Sequence, residues 1–118
     1  SRHIRDFNPG GMRRLWANAA SVLEARPAIS GLFGSSWLFD PDLKSISPHL
    51  SFLYDDALAN GAFLIHQGTG AHYDALASYR SPERRALIEA GTYQARSWIL
   101  AWPRTSLIAW VRREGLTG

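Results

Sequence analysis

Gly34 to Leu50 read GSSWLFDPDLKSISPHL, and the fold turns on how this stretch divides. Ala28 to Phe39 is expected to form a strand, irregular in its first half where Gly31, Gly34, Ser35 and Ser36 intervene and firm at Ser36 to Phe39, where Trp37, Leu38 and Phe39 form an apolar run. Asp40-Pro41 breaks it, and Asp42-Leu43-Lys44 has room for one helical turn. Ser47 and Pro48 then form a cap and first position for a helix from Pro48 to Leu58. Its apolar stripe is Leu50, Leu53, Tyr54, Ala57 and Leu58, and Asn60-Gly61 ends it. A strand that runs through a loop into a helix N-terminus leaves unpaired N–H groups facing the loop, which suits an anionic ligand.

Working upstream, Asn8-Pro9 predicts a helix start, with Gly10-Gly11 able to delay it. Met12, Leu15, Trp16, Ala19, Val22 and Leu23 fall on one face of that helix, and Pro27 stops it. Downstream, Ala62 to His66 reads as a short strand closed by Gln67-Gly68-Thr69-Gly70. Ala71 to Tyr79 has a faint helical pattern. Ser81-Pro82 opens a helix through Ala90, and Gly91 stops it. Ser97 to Trp102, SWILAW, suits a strand covered on both faces. Leu107, Ile108, Trp110 and Val111 mark a last amphipathic helix, finished by Gly115.

Helix and strand alternate throughout, which predicts an α/β domain with a small, mostly parallel sheet and helices packed on it. At 118 residues the chain has the size of one domain. Three strands make a narrow sheet. The expectation is either further strands upstream, in a longer chain of which this is a piece, or a sheet edge that pairs with another chain as a homo-oligomer.

Composition narrows the classes. A hydrophobic fraction of 46% with 12% aromatics is that of a folded domain. No apolar run approaches the ~20 residues of a membrane span. With no cysteine, disulfides and thiolate chemistry drop out. Together with an amino terminus that lacks a signal-peptide core, this points to a cytoplasmic setting. The net charge of +3 invites a nucleic-acid reading. The arginines, however, come as scattered pairs (Arg13-Arg14, Arg84-Arg85, Arg112-Arg113) within helices that also carry glutamate, the pattern of solvated faces.

Motif chemistry is sparse. Gly68-Thr69-Gly70 lacks the third glycine of a dinucleotide loop and the Gly-Lys-Ser/Thr of a P-loop. His66, His72 and Asp74, or His49 with Asp55 and Asp56, match no metal-ligand spacing, so no metal site is expected. Ser35 and Ser36 precede their strand, the wrong end for a hydrolase elbow. The remaining candidate is the helix opening at Ser47, where Arg80, Arg84 and Arg104 could add positive charge.

The order strand, helix Pro48–Leu58, strand Ala62–His66, helix Pro82–Ala90, strand Ser97–Trp102 resembles the carboxy-terminal half of the GNAT acyltransferase superfamily. Arg85-Ala86-Leu87-Ile88-Glu89-Ala90-Gly91-Thr92-Tyr93 looks like that family's late helix and glycine turn. The resemblance, over roughly residues 30 to 102, implies an acyl-CoA cofactor held at Ser47, His49 and Leu50, with the acyl group along Trp37 and Phe39. It also implies acyl transfer to an amine, on a small molecule or a protein. Ile88 stands where the family often has a tyrosine acid, so His49, Tyr54 or Tyr93 would handle the proton. The residues also support a second class, a non-catalytic α/β interaction module with an aromatic surface. Five tryptophans are generous for a core this size.

Overall fold

The computed structural model describes residues 7–118. Helix α1 (Pro9–Ala25) is followed by strand β1 (Gly31–Ser36), a 3-10 turn (Trp37–Phe39) and a short helix α2 (Leu43–Ile46). A second 3-10 segment (Pro48–Leu53) leads into α3 (Asp55–Ala59), then strand β2 (Phe63–Thr69). Helices α4 (Ala71–Ser78) and α5 (Pro82–Glu89), strand β3 (Arg96–Pro103) and helix α6 (Arg104–Glu114) complete the chain.

The α/β class holds, but the sheet is not mostly parallel. Its order is β1-β3-β2, and β3 runs antiparallel to both neighbours. The cause lies between β2 and β3. Two helices, α4 and α5, fill that connection, where a parallel crossover needs a passage to the opposite end of the sheet. The chain re-enters where it left, so Arg96 at the start of β3 pairs with Thr69 at the end of β2. The alternation of helix and strand therefore yields a small antiparallel sheet, not the mostly parallel one expected.

The stretch 34–50 also divides differently. The strand is Gly31–Ser36, and Trp37–Phe39 curl into a turn because the Ser36 hydroxyl accepts from the Leu38 N–H at 3.0 Å. A serine that bonds its neighbouring backbone draws it away from a sheet ladder. The long helix expected at Pro48–Leu58 is broken at Tyr54 (φ −138°) into the 3-10 segment and α3. Its apolar stripe is nonetheless buried, at Leu50, Leu53, Tyr54 and Ala57.

Elsewhere the helix ends carry the caps and glycines expected of them. The Asn8 side chain accepts from the Gly11 N–H at 2.8 Å with Pro9 at the first turn, and Ser81 caps α5 through the Arg84 N–H. Gly91 and Gly115 take left-handed angles (φ 75° and 64°) where α5 and α6 stop.

One side of the sheet carries the core. Trp102 packs edge-on to Trp16 of α1 at 5.1 Å and against Trp110 of α6 at 5.2 Å, and its Nε1 donates to the Asn60 carbonyl at 3.1 Å. Arg104 draws α6 to the end of α1 by donating to the carbonyls of Leu23, Arg26 and Ile29. The buried face of α1 is rotated from the expected stripe: Trp16, Ala17, Ala20 and Leu23 are buried, whereas Leu15 and Val22 are each 52% exposed.

Candidate functional site

Folding brings several of the expected site residues near one another, with Arg84 between Ser47 and Trp37 and the Asp40 charge felt by both Tyr54 and Tyr93. Ser47 is buried, and its hydroxyl accepts from Arg84 Nη1 at 3.0 Å. It makes no side-chain cap for the segment that follows. Arg84 also donates through Nε to the Ala77 carbonyl at 2.7 Å and lies 5.3 Å from the centre of the Trp37 ring. This guanidinium thus ties Ser47, Trp37 and α4 together. Arg104 sits at the end of α1, and Arg80 lies over the Tyr79 ring. Leu50 is in the core, Phe39 faces α1 beside Leu100 and Trp102, and His49 is exposed on the 3-10 segment.

Tyr54 and Tyr93 both feel Asp40. Among the described residues their hydroxyls, together with Trp98 Nε1, are buried without a hydrogen-bond partner. Burial pushes the Tyr93 phenol up to about 12, and the Asp40 charge adds to the shift. Tyr54 is raised too, first by burial and then by Asp55 and Asp40. Both phenols stay protonated at neutral pH, so neither is a base there.

Asp40 has no exposed surface and accepts two hydrogen bonds from Arg96, from Nε at 3.3 Å and Nη2 at 3.1 Å. Arg96 also pairs with Asp42. The Arg96 guanidinium is held above its ordinary pKa, chiefly by the Asp40 hydrogen bond. Sequence reading missed this pair, since the partners lie 56 positions apart. The cluster has the character of a fastening: it clamps the loop after β1 to the start of β3.

The other side of the sheet is different in kind. Facing β3 across the ladder, Phe33 and Phe63 flank Ala101, and Ser35 and Ile65 flank Ile99. Alternation puts these six side chains on the side opposite Trp98, Leu100 and Trp102. Phe33 is 76% exposed, Phe63 49% and Ile65 48%. None of the six is charged. Taking an aromatic side chain at ~200 Å², these three alone expose on the order of 300 Å² of apolar surface. At one end Ser97 donates to Gln67 at 2.7 Å, a polar border.

Around the free edge of β1 the apolar surface continues into a cleft of about 220 Å³ between α1 and the sheet. Met12, Leu15, Ala19, Phe33, Gly34 and Phe39 line it with core residues. Sequence reading missed this surface as well. Leu32-Phe33 and Phe63-Leu64-Ile65 are continuous apolar runs, with no alternation to mark one side as open.

Gly68 and Thr69 lie within β2 beside an irregularity in its pairing, not in a phosphate loop. His66 packs on Trp98, and His72 on Tyr73. Among the described residues no group of three His, Cys, Asp or Glu side chains could hold a metal ion, and no helix is long and apolar enough to cross a membrane. No protein-family model matches the chain, and neither a curated protein nor a solved structure matches it.

Proposed function

We propose that this domain works by contact, as a protein-association module whose working surface is the uncovered side of its sheet. The observation that carries this reading is the pattern Phe33–Ala101–Phe63 beside Ile99–Ile65: apolar, aromatic and without a charge, on a chain that otherwise carries net charge +3. The centre of a protein–protein interface is depleted in charge and rich in aromatics, while isolated antiparallel sheets tend to keep an open side polar. The partner is a protein surface of matching character, apolar and uncharged at its centre. The tryptophans serve the core: Trp16, Trp102 and Trp110 are buried, and phenylalanines supply the exposed aromatics.

The acyl-transfer reading gains less support from the geometry. It asked for free N–H groups and an open serine at Ser47, and that hydroxyl is engaged by Arg84. The segment after it is a 3-10 turn that lacks the aligned dipole of a long helix.

Photo-crosslinking in cells that express the full chain tests the association reading. A benzophenone side chain at Phe63 or Ile65 should give discrete protein adducts, and the same group at exposed Glu83 on α5 should not. Absence of adducts from both sheet positions, with the chain folded, would contradict it.

A further inference from the structure

We infer that the partner is a second copy of this chain, joined through antiparallel pairing of the two β1 strands about a two-fold axis at Phe33. This rests on the reading of the sheet as a contact surface and names its occupant.

The inference begins with the phase of the β1–β3 ladder. Arg104 N–H donates to the Ser30 carbonyl at 2.8 Å, and the register continues as Leu32 opposite Trp102, Gly34 opposite Leu100 and Ser36 opposite Trp98. In an antiparallel pair, alternate residues turn their N–H and C=O groups toward the neighbour. Ser30, Leu32, Gly34 and Ser36 therefore face β3, and Gly31, Phe33 and Ser35 present theirs to the free edge. Pro103, which has no N–H, sits opposite Gly31, where none is needed. Among the described residues no strand occupies that edge.

Self-pairing needs odd-numbered residues of one copy bonded to odd-numbered residues of the other. Centred on Phe33, the register sets Phe33 opposite Phe33 and Gly31 opposite Ser35, in both directions. All three outward residues of each copy are then satisfied, with six inter-strand hydrogen bonds formed. A shift by two residues either way leaves one outward residue of each copy unpaired. The edge is thus complementary to itself, as a two-fold interface requires.

Side chains point the same way. The two Phe33 rings, each on the uncovered side and 76% exposed, would meet across the axis. Leu15, 52% exposed at the cleft beside the same edge, would be approached from the other side of the sheet. The six strands would form one continuous sheet.

The two edges of the sheet are also built differently. An edge strand that must stay single is blunted by charge, proline or a bulge. β2 carries an irregularity between His66 and Gly68, whereas Gly31–Ser36 has no charge, no proline and an unbroken register.

Sedimentation velocity over a concentration series, with two kinds of variant, decides the matter. The wild-type chain should pass from monomer to dimer. Phe33→Lys should remain monomeric and, at dilutions where the wild type is itself monomeric, melt at the wild-type temperature; Ser35→Lys, at a second exposed position on the same edge, repeats the test should the first variant fold poorly. The chain has no cysteine, so Phe33→Cys introduces the sole thiol. Paired residues in this register have Cα atoms about 5.5 Å apart, within disulfide reach. Mild oxidation should give a covalent dimer from Phe33→Cys and none from Ile65→Cys, which lies on the far strand. A wild-type chain that stays monomeric at every concentration overturns the second-copy inference. So does a dimer that survives both lysine substitutions, or one that crosslinks through Ile65→Cys. Those last two results, with adducts still formed at Phe63, would leave the sheet surface as a contact surface and remove only the edge pairing.

Discussion

Arg96 grips Asp40 with two nitrogens, Nε to Oδ2 at 3.3 Å and Nη2 to Oδ1 at 3.1 Å, and the carboxylate has no exposed surface. The pair joins the turn after β1 to the first residue of β3, and so fixes where β3 enters between the other two strands. Arg96→Ala would strand a buried carboxylate and should cost about 3 kcal/mol, the scale for breaking a buried pair. Asp42→Ala, which removes only the exposed partner of Arg96, should cost under about 1 kcal/mol. Urea unfolding of the two variants checks the contrast.

Tyr93 makes the second prediction. Its folded pKa of about 12 lies above the ordinary 10.0, so between those values the unfolded chain loses the proton first. The stabilising contribution is complete below pH 10 and falls away as pH rises through about 12. Tyr93→Phe should remove that alkaline decline. At pH 7 the same variant should be neutral or slightly stabilising, because it deletes a buried hydroxyl that has no partner. Thermal melts from pH 7 to pH 11 measure both effects.

Two glycines of β1 should respond in opposite directions. A Cβ on Gly31 would stand 2.7 Å from the Trp102 carbonyl oxygen and 3.1 Å from Pro103 Cα, both backbone atoms that cannot swing aside. Gly31→Ala should therefore destabilise by about 1–3 kcal/mol. A Cβ on Gly34 meets nothing within 4 Å. Gly34→Ala should stabilise by about 0.5 kcal/mol through the stiffer unfolded chain. Comparative denaturation reads the sign of each.

Features set by a few neighbouring residues were legible in the sequence. Asn8-Pro9, Ser81-Pro82, Gly91 and Gly115 mark helix ends because caps and left-handed turns are local events. The direction of β3 was not legible. It depends on α4 and α5 together returning the chain to the end of β2 it had left, and no single segment carries that information. Ser36 illustrates a closer competition: its hydroxyl bond to Leu38 turned Trp37–Phe39 out of the strand that their apolar run suggested.

The candidate site followed the same division. Tyr54 and Tyr93 stand out in the sequence and both are buried near the Asp40 charge, yet the partner that fixes Asp40 lies far along the chain. The open sheet surface emerged only once register set Phe33 and Phe63 on either side of Ala101. Burial on one side of a strand cannot be read from a run that is apolar throughout.

The most direct measurement is the amide NMR spectrum of the full chain over a dilution series. Resonances of Gly31 to Ser35 should shift and broaden with concentration, with smaller changes at Phe63, Ile65, Ile99 and Ala101, while Ser47, Tyr54 and Tyr93 stay fixed. A spectrum that does not change with concentration, or changes centred on Ser47, Tyr54 and Tyr93, would contradict self-association through the open side and edge of this sheet.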